Sequence, residues 1–196
     1  VAASVRAVAT GVAALALTGC SASLGSSDGA TTGTGDNSSF TAAGVEHIED
    51  EGRAVIDLRA PITATDLGAG DGQVLRDVDV RGEDPIDVTV RGSRGDLVVP
   101  ADVIRVLVGA DGSEVQSIAL FEDQDDTAAL TTRLKTVGDT VGVDGSALDS
   151  YVASVGEGRQ EVWLNGGESL GFTVGLHPVD EPDGEHVLEY QLTAPG

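Results

Sequence analysis

Apolar and polar positions alternate along much of the chain from residue 54 onward. Ala54, Ile56 and Leu58 fall on every second position, as do Val78 and Val80 in the run Val74 to Val80 and Ile86, Val88 and Val90 in the run Ile86 to Val90. A period of two is what a strand leaves when one face lies on a core and the other faces water. Gly82-Glu83-Asp84-Pro85 separates the second and third runs and predicts a hairpin turn between them. Gly109-Ala110-Asp111-Gly112-Ser113 separates Val103–Val108 from Val115–Phe121 and predicts another. The period then changes. Leu130, Leu134, Val137 and Val141 recur at helical spacing after the capping pair Asp125-Asp126, and Gly142 ends the run. Asp144 caps a second helix carrying Leu148, Tyr151, Val152 and Val155 on one face, with Gly156 as its stop. Strands resume at Gln160–Leu164, Leu170–Leu176 and Val187–Leu192. The order predicts an α+β fold: a largely antiparallel β-sheet with a helical pair inserted between strand groups, filling one domain over residues 40–196.

The first twenty residues follow another logic. Arg6 precedes the apolar run Ala7 to Leu17, and Thr18-Gly19-Cys20 follows it. One positive charge, a short apolar stretch and small residues before a cut are the parts of a secretory signal. The run is about half of the roughly 20 residues that span a bilayer. Leu17-Thr18-Gly19-Cys20 resembles the lipobox of bacterial lipoproteins. The resemblance implies that residues 1–19 are a signal peptide, that the Cys20 sulfur takes a diacylglyceryl group, and that Cys20 becomes the first mature residue. It also implies a protein held on the extracytoplasmic face of the cell membrane by fatty acyl chains such as palmitate. Two or more chains, at about 0.8 kcal/mol per buried CH₂, anchor far more firmly than one. Beyond Cys20, a Ser/Thr/Gly tract runs to Ser39 and buries too little apolar surface to offset its ordering entropy. Residues 20–39 therefore read as a lipidated cysteine and a flexible tether.

Charge narrows the partners. The 196-residue chain has 33 acidic and 11 basic residues, a net charge of -22. Nucleic acid is excluded as an expected partner, because binding it needs Lys and Arg to displace phosphate counterions. An anionic lipid surface repels such a domain too, which leaves the anchor at Cys20 as the link to the membrane. An envelope protein of positive charge suits it electrostatically. Cys20 is the only cysteine, so neither an intramolecular disulfide nor a cysteine zinc site is expected.

Candidate chemistry is sparse. His177 and His186 lie at the two sides of a predicted hairpin, near Asp180, Glu181, Asp183 and Glu185, but their spacing fits no zinc signature. They read as exposed polar residues at a hairpin end. The acidic runs Glu122–Asp126 and Asp180–Glu185 lack the ligand spacing of a calcium loop and read as solvated loops or a helix cap. No Gly-x-Ser-x-Gly elbow is present, and Ser-x-x-Lys is excluded because Lys135 is the sole lysine. Glu46-His47 reads as an exposed pair before the first strand. Gly68-Ala69-Gly70-Asp71-Gly72 and Gly166-Gly167 lack the lysine of a phosphate loop and read as turns. Trp163, in a chain with 3% aromatic residues, reads as a core anchor rather than an exposed binding residue. No catalytic residue, metal site or cofactor is expected. The expected function is a membrane-anchored, extracytoplasmic, non-enzymatic binding or interaction domain, with a small-ligand or metal-binding transport accessory as the alternative.

Overall fold

The computed structural model describes residues 37–68, 75–108, 115–156, 158–181 and 184–193. The signal peptide, Cys20 and the tether up to residue 36 lie outside them, as do residues 69–72 and 109–113 of the two glycine-containing loops. All described residues belong to the unit Thr32–Gly196.

The fold is α+β. In chain order its elements are α1 (Ala42–Glu51), β1 (Arg53–Asp57), β2 (Leu75–Asp79), β3 (Ile86–Arg91), β4 (Asp96–Ala101), β5 (Val103–Val108), β6 (Val115–Asp123), α2 (Thr127–Val141), α3 (Gly145–Ser154), β7 (Gln160–Glu161), β8 (Leu164–Asn165), β9 (Thr173–Asp180) and β10 (His186–Thr193). The helical pair α2–α3 separates the strand groups as expected. Asp126 caps α2 by accepting from the Ala129 N–H at 2.7 Å, and Asp144 caps α3 by accepting from Ser146 and Ala147. Gly142 closes α2 in the left-handed conformation at φ 77°, which costs a residue with a side chain more.

The strands form two sheets. A seven-stranded sheet holds the path β2-β5-β6-β10-β9-β7, with β8 also paired to β9, and all its pairings are antiparallel. A three-stranded sheet runs β1-β3-β4, where β1 pairs β3 in parallel. The expected β5–β6 hairpin is present. The hairpin expected between residues 74–80 and 86–90 is not: the chain does reverse, with the Glu83 N–H donating to the Val80 carbonyl, but β2 joins β5 while β3 joins β1 and β4. Turn composition dictates a reversal, whereas the partner of each strand is set by distant residues.

At the passage from β4 to β5 the chain crosses between the two sheets within one residue. Asp102 alone separates β4 from β5, and all its polar groups are used. Its N–H donates to Phe121 O, its carbonyl accepts from the Val80 N–H, and its carboxylate accepts from the Asp123 N–H. Burial alternates along β3, β4 and β9, so each sheet has a covered face, while β6 buries Ile118, Ala119 and Leu120 in succession. Ile86, Val88 and Val90 of β3, Ile104, Val106 and Val108 of β5, and Leu188, Tyr190 and Leu192 of β10 belong to one continuous core. Helix α2 packs on β9 and β10, and α1 packs beside β1 and β2. Helix α1 was not among the expected elements: it is short, fully buries only Ile48 with Val45 packed beside it, and is bounded by the cap Thr41 and by Gly52. The folded unit already includes Asn37, which is buried and whose carbonyl accepts from the Val55 N–H.

Candidate functional site

Strand alternation sends one set of side chains of the seven-stranded sheet inward and the other set to its outer face, away from α2 and α3. Four apolar residues from adjacent strands, Val103, Phe121, Val187 and Val179, floor a surface groove of about 500 Å³ on this outer face. The groove lies on this outer face, not between the sheet and the helices. Its rim is charged. Arg105 makes a two-toothed ion pair with Asp77 on the neighbouring strand and lies 5.4 Å over the Phe121 ring. Arg81 pairs with Asp79, which holds that carboxyl down at about 2, and Arg159 pairs with Glu161 and Glu181.

Beside the groove lies Trp163. Its ring stacks on His177 at 4.3 Å between centroids and 7° between planes, and it lies beside Gly175. The residue is 51% exposed, so the expectation of a core anchor is corrected. The reason is local: Leu164, the next residue, takes the inward position at 4% exposure and turns Trp163 outward. Glu189, opposite His177 in the register, holds the imidazole through Nδ1 at 3.0 Å. The platform is thus fixed from below by a stacked ring and by a carboxylate that fixes that ring.

At the other end, Asp123, Asp125 and Glu185 line the groove and are exposed. Their carboxylates take no hydrogen bond or ion pair among the described residues. Partial burial and the neighbouring carboxylates Asp102, Glu185 and Asp79 push the Asp123 carboxyl above its usual range, against the pull of Arg81.

The remaining acids of the two clusters are structural. Glu122 is buried and accepts from Arg133 Nε at 2.8 Å and from the Tyr190 hydroxyl. Asp180 is fully buried and accepts from Thr127 Oγ1 at 2.7 Å, His186 Nδ1 at 2.9 Å and the Gly156 N–H at 3.1 Å. Burial pushes its carboxyl up, but those three donors outweigh burial and hold it below the usual value. His177 and His186 are therefore not the exposed residues expected: their side chains are 18% and 11% exposed, each on a carboxylate. Glu46 and His47 are exposed on α1. Among the described residues no group of three or more His, Cys, Asp or Glu could hold a metal ion, and no helix is long and apolar enough to cross a membrane. The one signal that could have exposed the site in the sequence is the pairing of Trp163 with an inward Leu164 at a strand edge. The chain matches no family model, no curated protein and no solved structure.

Proposed function

We propose that this chain is a lipid-anchored extracytoplasmic domain that binds a partner through the outer face of its seven-stranded sheet, without catalysing a reaction. The observation that carries the binding role is the half-exposed Trp163, stacked on His177 at the margin of an apolar-floored groove. An exposed indole on a rigid sheet offers large contact area at low entropic cost, which is why interfaces centre on such residues. The anchoring role rests on Leu17-Thr18-Gly19-Cys20 and the Ser/Thr/Gly tract behind it. The groove's arginines and histidines are each held by a carboxylate rather than arranged as nucleophile and base, which favours binding over catalysis.

The test has two arms. The chain and its Cys20→Ala form are expressed in a bacterial host, and membranes are fractionated. The wild type is expected in the membrane fraction with a lipidated Cys20 as its N-terminal residue, and the variant in the soluble fraction with neither. Equal distribution and equal N-terminal masses refute the anchor. In the second arm, a partner co-purified with the wild type must be lost with Trp163→Ala while the circular dichroism spectrum is unchanged; retention of that partner refutes the assigned face.

A further inference from the structure

We infer that the groove takes an extended basic segment of a partner protein, with one Lys or Arg cation against the free face of Trp163 and another against Asp123, Asp125 and Glu185. The inference rests on the binding role proposed above and specifies the chemistry of the partner.

Three observations select a cation. Every groove arginine is already engaged within the chain: Arg81 by Asp79, Arg105 by Asp77, and Arg159 by Glu161 and Glu181. An anionic ligand would have to break one of these pairs to find a guanidinium. The carboxylates of Asp123, Asp125 and Glu185 line the groove without a hydrogen bond or close ion pair among the described residues, and Arg81, already committed to Asp79, attracts Asp123 and Glu185 only from a distance. An arriving ammonium or guanidinium also relieves the repulsion among Asp123, Asp102, Asp79 and Glu185 that burial sharpens. The third observation is the indole. One ring face is taken by His177 and the residue is 51% exposed, so the opposite face is open to the cation contacts that tryptophan makes best. The net charge of -22 adds a long-range field that draws cations toward the whole surface.

The floor makes the ligand a segment rather than a free cation. Val103, Phe121, Val187 and Val179 come from β5, β6, β10 and β9, four adjacent strands. Three spacings of about 4.8 Å give a floor of roughly 14 Å, which an extended chain rising about 3.3 Å per residue crosses in four to five residues. Apolar side chains and the methylene stems of Lys or Arg fit such a floor. A bare metal ion does not suit it, since no group of three or more His, Cys, Asp or Glu among the described residues could hold one.

Trp163 is the only tryptophan, so its emission reports this site alone. The full chain in non-ionic detergent is titrated with an acetylated, amidated hexapeptide alternating lysine and valine, and with counterparts carrying glutamine or glutamate for lysine. The lysine peptide is expected to shift the emission saturably, at least tenfold more tightly than the glutamine peptide, and to weaken as salt is raised. The glutamate peptide is expected not to bind. Asp123→Asn combined with Glu185→Gln should weaken the lysine peptide about tenfold with an unchanged circular dichroism spectrum. Trp163→Ala, followed by calorimetry, should weaken it about five- to tenfold.

Equal affinity for the lysine and glutamine peptides overturns the inference, as does the absence of any shift up to millimolar peptide or unchanged binding by the double variant. Saturation of the emission change by neutral oligosaccharides, where the lysine peptide gives none, assigns the platform to glycans and also overturns it. If the peptides fail while the co-purified partner still depends on Trp163, only the cationic chemistry falls. If that dependence fails as well, the binding face itself falls.

Discussion

Replacing Asp180 by alanine removes one carboxylate and orphans three donors at once. Thr127 stands at the start of α2, Gly156 just past α3 and His186 at the start of β10, so this fully buried side chain ties both helices to the β9–β10 hairpin. Each hydrogen bond to a charged group is worth about 1.5–3 kcal/mol. The three share one acceptor and do not add. Breaking a buried charged cluster from one side costs about 3–5 kcal/mol, and about 4 kcal/mol is expected here. Against the roughly 5–15 kcal/mol that holds a domain folded, this is a large share. It corresponds to a fall in Tm of about 8–16 °C, at about 2–4 °C per kcal/mol for a domain of this size. Asp180→Asn keeps the volume and one acceptor and should cost about half as much. The assay is urea unfolding followed by far-ultraviolet circular dichroism. Acid supplies a second check. The carboxyl is held below its usual value in the folded chain, so between that folded value and about 3.9 the unfolded chain binds more protons. The stabilisation is therefore complete above about pH 4 and drains away as pH falls through the folded value. The gap between wild type and Asp180→Asn should narrow below about pH 4. A cost under about 1 kcal/mol for Asp180→Ala, or a gap that ignores pH down to 3, would refute the reasoning.

Asp123→Asn should act in the opposite sense: burial and neighbouring acids raise this carboxyl in the folded chain, so stability falls as pH rises through that raised value, and the amide should raise Tm slightly at pH 7 but not at pH 3 in calorimetry. Gly166→Ala places a Cβ 2.5 Å from the Val174 carbonyl oxygen and 2.9 Å from that of Val141, both backbone atoms, and should cost about 1–3 kcal/mol in urea unfolding. Arg133→Met leaves the buried Glu122 with Tyr190 alone and should cost about 3 kcal/mol, whereas adding Glu122→Leu and Tyr190→Phe should recover much of the loss on the same urea curves.

What the sequence made legible follows from which forces are local. The helices α2 and α3 could be placed from Leu130, Leu134, Val137 and Val141 and from the caps Asp126 and Asp144, because a periodic stripe and a cap are both written within a few residues. Helix α1 was missed, since its apolar face is only the short pair Val45 and Ile48 between the cap Thr41 and the stop Gly52. Alternation identified the strands but not their sheets: β2 and β3 carry the same pattern on either side of a turn and still part company. For the site, the sequence displayed Trp163, His177 and Glu189 without the register that sets His177 opposite Glu189 and beneath the indole. The acidic runs were legible as runs only. Which members are buried, as Glu122 is, and which line the groove, as Asp123 does, is decided by strand parity after folding.

The junction at Asp102 governs how the domain comes apart. With no loop between β4 and β5, and with its amide, carbonyl and carboxylate each clasped by a different neighbour, the two sheets have no slack at this crossing. Amide protons on the two sides of this corner, such as those of Val99 and Ile104, should exchange with deuterium at closely similar protection, opening together in a single cooperative event.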